Sequence, residues 1–99
     1  AYLGDAFEAT VTGPGGPQDV AYDATTDPPS LVFVGDKVWR YRLEDGSVET
    51  ILDDPDVRPL REVEIDAEGR ILAASKEELI RIDPRSAPLP LPPGSYVRI

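Results

Sequence analysis

An all-β fold is what this sequence predicts, and three observations predict it. Eleven prolines are spread over 99 residues, and each removes a backbone donor and breaks a helix interior. No stretch sustains apolar residues at a 3.6-residue period, so helix is expected for a turn or two at most. Short apolar or alternating runs recur, bounded by Gly, Pro, Asp and Ser, which is the punctuation of strands and turns. The length sets one domain, and a hydrophobic fraction of 40% is enough for a core. A chain this size hides only about 60–65% of the surface its unfolded form exposes, so it gains by burying more against other copies.

Taken in order, the runs give nine expected strands. Residues 6–12 (AFEATVT) come first. GPGGP (13–17) links them to the rest; it lacks the following helix, Lys and Ser/Thr of a phosphate loop. Strands are expected at 18–22, 31–34 and 37–43, with the Gly35-Asp36 pair at hairpin length between the last two. Asp45-Gly46 supplies turn chemistry before a strand at 47–52. Further strands are expected at 61–66, 70–75 and 78–83, with Glu68-Gly69 turning between the first two. APLPLPP (87–93) cannot pair well, because proline has no amide to donate. A last strand is expected at 95–99. The single domain thus divides into 1–17, 18–53, 54–86 and 87–99.

The two central segments repeat one another. Val20-Ala21-Tyr22-Asp23 matches Val63-Glu64-Ile65-Asp66 at an offset of 43; Leu31-Val32 matches Ile71-Leu72 at 40; Val38 to Tyr41 matches Leu79 to Ile82 at 41. The offsets drift where loops differ: seven residues separate Asp23 from Leu31, and four separate Asp66 from Ile71. Loops change length freely while strands keep register. Alternation puts Trp39, Tyr41 and Leu43 on one face and Val38, Arg40 and Arg42 on the other. In the second unit Ile80 and Ile82 share a face, with Leu79 and Arg81 opposite. A period near 40 with four short strands per unit is the signature of β-propeller blades, with a β-sandwich of two similar meanders as the alternative. The expected fold is therefore all-β, with two four-stranded propeller-like blades per chain.

The phrases VAYD…LVFVGDKVWRYRLEDGSVETIL and VEIDAEGRILAASKEELIRID resemble blades of the six-bladed family that includes NHL repeats and the SMP-30/gluconolactonase-like lactonases. The resemblance covers residues 18 to 83 and implies a propeller. It does not reach the family's metal-binding acids and asparagines; this chain has no Asn. Two blades cannot close a ring, and natural rings have about 4–8. Closed symmetry supplies the rest: three chains give six blades, two give four. Small trimeric fucose-binding lectins are similar in assembly and chain length, although their sites are rich in Trp and this chain has one. The second blade lacks an obvious fourth strand beside 78–83. Residues 6–12 or 95–99 could fill that edge, from the same chain or a neighbouring one, and at least one terminal strand is expected to cross between subunits.

Composition narrows the chemistry. There are no cysteines and no histidines, which excludes disulfides, cysteine-based zinc sites and the commonest general base. Nineteen acids against 10 bases give a net charge of −9, which argues against nucleic acid or an anionic membrane as partner. Asp (11) exceeds Glu (8), and Arg (8) exceeds Lys (2), a balance like that of salt-loving archaea or of GC-rich bacteria and their phages. No apolar run approaches the roughly 20 residues of a membrane helix. The acidic start lacks a signal peptide's basic segment, so a cytoplasmic or virion location is expected. Ala1 is consistent with removal of an initiator Met, or with a fragment or processed subunit.

Few residues stand out as sites. Asp53, Asp54 and Asp56 form the densest acid cluster; carboxylates suit Ca2+, but the spacing is not that of an EF-hand, Pro55 rigidifies the loop, and a solvated acidic turn between blades is the favoured reading. Asp23 and Asp66 recur at strand ends, where Asp bonds backbone amides or, in a closed ring, could gather near the axis as a cation site. Arg40 and Arg81 recur at equivalent positions, as ion-pair partners of a neighbouring blade or as anion contacts. Trp39 and Tyr41, with Tyr2, could stack on a sugar, although their alternation with Leu43 favours the core. No nucleophile–base pair is visible. The function expected is that of a non-enzymatic structural or interaction module, a homo-oligomer with a trimer first. It could serve as a small component of a larger assembly such as a virus capsid or tail. A shared-propeller lectin and a fragment of a lactonase-like enzyme are the alternatives.

Overall fold

The computed structural model describes residues 16–99; the strand expected at 6–12 lies outside them. The described chain is all-β and forms two four-stranded antiparallel sheets. Sheet 1 is a meander of β1 (Asp19–Asp23), β2 (Ser30–Val34), β3 (Val38–Arg42) and β4 (Val48–Leu52). Sheet 2 repeats it with β5 (Glu62–Ile65), β6 (Ile71–Ala74), β7 (Leu79–Ile82) and β8 (Val97–Arg98). Eight of the nine expected runs therefore carry strands, and a single 3-10 turn (Pro55–Val57) joins the sheets.

The repeat read in the sequence is a repeat of backbone. In sheet 1 the Gln18 amide donates to the Val34 carbonyl at 2.7 Å, and in sheet 2 the Arg61 amide donates to Ala74 at 2.7 Å. Asp19 pairs with Val34 as Glu62 pairs with Ala74. Two local features depart from the expectation. The β2–β3 hairpin turns through three residues, Gly35 to Lys37, closed by the Gly35 amide on the Lys37 carbonyl at 3.0 Å. A bulge between β3 and β4 pairs Val38 with Leu52 and Trp39 with Thr50, leaving Ile51 unopposed. An extra residue bends a strand and re-aims its side chains, which is how neighbours Ile51 and Leu52 both reach the core.

The fourth strand of sheet 2 comes from the C-terminal candidate, and it comes from the same chain: Ile80 pairs with Arg98 and Arg81 with Val97. APLPLPP does make one sheet contact. It crosses back to sheet 1, where the Leu91 amide donates to the Ile51 carbonyl at 2.8 Å and Leu91 bridges Leu52. Leu91 sits between prolines and keeps an amide to donate, and that amide falls on the carbonyl of the unopposed bulge residue. The segment therefore binds the sheets together.

One core joins them. Val32, Val34, Val38, Ile51 and Leu52 of sheet 1 form a single buried cluster with Val63, Ile71, Ala73, Ile80 and Ile82 of sheet 2, capped by Val57, Leu60 and Leu91. Val32 and Val34, Ile71 and Ala73, and Ile80 and Ile82 enter it from alternate positions, as the pleat requires, while the bulged strand gives the neighbours Ile51 and Leu52.

Candidate functional site: the joint between the sheets and the faces beyond it

The face that each sheet gives to the joint is not the same face. Sheet 1 contributes Val32 and Val38. Their repeat equivalents in sheet 2, Leu72 and Leu79, point the other way, and the joint is filled instead by Ile71, Ile80 and Ile82. Those match Leu31, Trp39 and Tyr41. The sheets are thus stacked front to back, like face never meeting like face. A stack of this kind leaves two unlike faces at its ends.

Sheet 1 fills its end face mostly with aromatics. Phe33, Trp39 and Tyr41 make a second buried cluster flanked by half-buried Leu31 and Val48. Trp39 is 3% exposed, and its indole Nε1 is buried without a hydrogen-bond partner among the described residues. Sugar stacking needs an open ring face, so the burial of Trp39 counts against a lectin site at this residue. The inner strand of this face is bare: Val20 and Tyr22 are 45% and 59% exposed. At the other end, the outer face of sheet 2 carries Leu72, Ala74 and exposed Leu79 and Val97, between Glu62, Glu64 and Arg81. A groove of about 320 Å³ runs over Glu62, Glu64, Leu72, Ala74 and Leu79.

The joint itself is closed by polar contacts at specific places. Asp19 Oδ2 of sheet 1 accepts from the Val63 amide at 3.0 Å. An edge strand turns alternate amides outward, away from its own ladder, and here the outward amide finds a carboxylate on the other sheet. The Leu60 amide donates to the Gly35 carbonyl at 2.8 Å. Asp54 caps the 3-10 turn, taking the Asp56 amide on Oδ1 at 3.0 Å and the Gly94 amide on Oδ2 at 2.7 Å. Asp54 is thus a buried tie between the turn and the C-terminal segment, while Asp53 and Asp56 are exposed. Asp53 stands 3.8 Å from Lys37. Among the described residues no three Asp or Glu side chains gather as metal ligands would.

Asp23 and Arg40 meet on the joint side of sheet 1. Arg40 Nη1 lies 2.9 Å from Asp23 Oδ2 and 2.6 Å from Ser30 Oγ, all three residues buried. The pair lies within one sheet, not between neighbours as the repeat suggests. Asp23 also accepts from the Thr25 hydroxyl and from the Thr25 amide at 2.9 Å. Burial works against the charge of Asp23, but the Thr25 hydroxyl, the Arg40 guanidinium and the Thr25 amide together hold its carboxyl below the usual range. A buried charge persists only with such partners.

The equivalent pair in sheet 2 does not form. Asp66 binds its own turn instead: the Glu68 and Arg70 amides at 3.0 and 2.9 Å, and Arg70 Nε at 2.8 Å. Desolvation opposes its ionisation, and the Arg70 amide and side chain with the Glu68 amide override it, so its carboxyl also sits below the usual range. Arg81 is half-buried and pairs with no carboxylate among the described residues. Sequence reasoning could not separate these two Arg–Asp pairs, because the residues are the same and only their covering differs.

No family model, no curated protein and no solved structure matches the chain. Among the described residues, no helix is long and apolar enough to cross a membrane.

Proposed function

We propose that this chain is a non-enzymatic structural or interaction module whose two sheets are consecutive blades of a β-propeller-like ring completed by further copies. The reading is supported by the front-to-back stacking of the sheets. Sheet 2 sits on sheet 1 by a step that uses different faces on the two partners, and such a step repeats until it closes or runs out of blades. The resemblance of residues 18–83 to NHL-type blades points the same way, as does the adjacency of β1 and β5. Three chains would complete six blades.

Absolute mass by light scattering tests it, at low and at multimolar salt. A closed trimer of 10.8 kDa chains gives about 32 kDa. Assembly only at high salt assigns the barrier to the net charge of −9, which salt screens. A monomer at both salts removes the ring and leaves a two-sheet domain sufficient to itself.

A further inference from the structure

We infer that the outer face of β5–β7 receives β1 of a second copy, through contacts that repeat those β5 makes inside the chain, with Glu62 accepting from the second copy's backbone amide at position 20. The inference rests on the assembly reading above and names its contacts.

Repeat-equivalent residues carry it. Val63 lies 6% exposed against sheet 1, while Val20, at the same place in the repeat, is 45% exposed. Val38 is fully buried against sheet 2, while its equivalent Leu79 is 41% exposed. Of the exposed large apolar residues, Val20 and Tyr22 belong to one end face and Leu79 and Val97 to the other. At β1 and at the start of β7, the positions that the internal joint covers are bare at the ends of the stack; Phe33, Trp39 and Tyr41, the equivalents of Ala73, Ile80 and Ile82, are already buried, so the second joint is confined to β1. The outer face of sheet 2 is continuous with the existing interface, because the groove over Leu72, Ala74 and Leu79 includes Asp19 and Val63, the polar tie of the internal joint.

The polar tie repeats as well. Asp19 precedes Val20 as Glu62 precedes Val63, and each opens its strand opposite the last residue of the next strand, Val34 or Ala74. Inside the chain Asp19 takes the outward amide of Val63. Ladder parity turns the Val20 amide outward in the same way. Glu62 is exposed and has one more methylene than Asp19 with which to reach that amide on another copy. A carboxylate on a backbone amide is a charge-assisted bond, and it fixes the register that apolar contacts leave loose.

Two exposed substitutions, Tyr22→Arg and Leu79→Arg, test the joint, since neither disturbs the core. Light scattering is read on the native chain, on each variant and on their equimolar mixture, with circular dichroism confirming the fold. The expected result is an assembled native chain and two monomeric variants. Their mixture then gives a one-to-one heterodimer of about 22 kDa, because each variant retains the face the other has lost. Glu62→Ala in the Leu79-intact partner weakens that heterodimer about tenfold. A native assembly that survives both substitutions overturns the joint and leaves the ring reading standing. Loss of assembly in one variant only points to a two-fold contact through that face and overturns the joint as well. Variants that are monomeric alone and do not pair when mixed overturn it too. A monomeric native chain removes both readings together.

Discussion

Sheet 1 and sheet 2 share a strand order and a set of repeat positions, yet they bury them differently. Asp23 and Arg40 of sheet 1 are sealed in the joint and bonded to each other at 2.9 Å. Asp66 and Arg81 of sheet 2 face outward, and Asp66 turns to Arg70 instead. The difference teaches that the backbone repeat is specified locally and the side-chain pairing is not. A carboxylate in contact with water has several good partners, and the nearest along the chain wins. A carboxylate that another sheet has cut off from water must be met by whatever cation shares its enclosure.

The largest expected effect follows from that contrast. Asp23→Asn leaves the Arg40 guanidinium buried without a counter-charge and costs about 3–5 kcal/mol of stability; Asp66→Asn, whose partners are solvated, costs much less. Urea unfolding midpoints of the two variants measure the gap, and equal losses would break the comparison. The pH dependence has a definite sign. The folded carboxyl of Asp23 titrates below its unfolded value, so its contribution is present above about pH 4 and is lost as pH falls through the folded value. Asp23→Asn should flatten the acid limb of the stability curve, and the residual slope belongs to groups such as Asp45 and Asp66, whose carboxyls are also held low.

Next in size is the turn that touches the joint. Gly69 has φ +82°, and a Cβ there would stand 2.5 Å from Thr25 Oγ1, the hydroxyl that serves Asp23. Gly46 has φ +72° but would meet only Tyr41 Oη at an ordinary 3.5 Å. Left-handed backbone costs a residue with a side chain about 1–2 kcal/mol. Gly46→Ala should lose about that much. Gly69→Ala should lose roughly 1 kcal/mol more, from displaced Thr25 and its weakened hydrogen bond. Thermal melts of both variants check the order, and a reversed order would place the β5–β6 turn outside the joint's energetics.

Much of this was readable in the chain. Val20–Asp23 against Val63–Asp66 and Val38–Tyr41 against Leu79–Ile82 located the strands, because a pleat that buries one face writes a period of two into the residues. Gly46 and Gly69 marked turns, because only glycine takes positive φ freely. The edge at 95–99 was also readable, as one of two candidates. What escaped were contacts between residues far apart in the chain. Nothing local says that Leu91, among prolines, will donate to Ile51, that Asp54 will hold Gly94, or that Asp23 will choose Arg40 while Asp66 declines Arg81. These depend on which surfaces meet, and the stacking of sheets is decided by total apolar area, not by any one spacing. Trp39 was legible as core from its alternation with Tyr41, and the structure buries both.

The smallest effect is the most sensitive to assembly. Val38→Ala should cost about 2 kcal/mol at any protein concentration, since it removes two methyl groups from a fully buried site and leaves a cavity. Leu79→Ala, at the equivalent position in sheet 2, removes more carbon from a side chain that is 41% exposed. In the dilute monomer it should change stability by no more than about 0.5 kcal/mol. A substitution that matters only when its surface is covered becomes a probe of coverage. If copies stack as proposed, the native melting temperature rises with protein concentration and the Leu79→Ala chain falls progressively behind it. If the two melts stay parallel across a hundredfold range of concentration, Leu79 is solvent-facing in every state the protein adopts. The bare face of sheet 2 is then simply its outside.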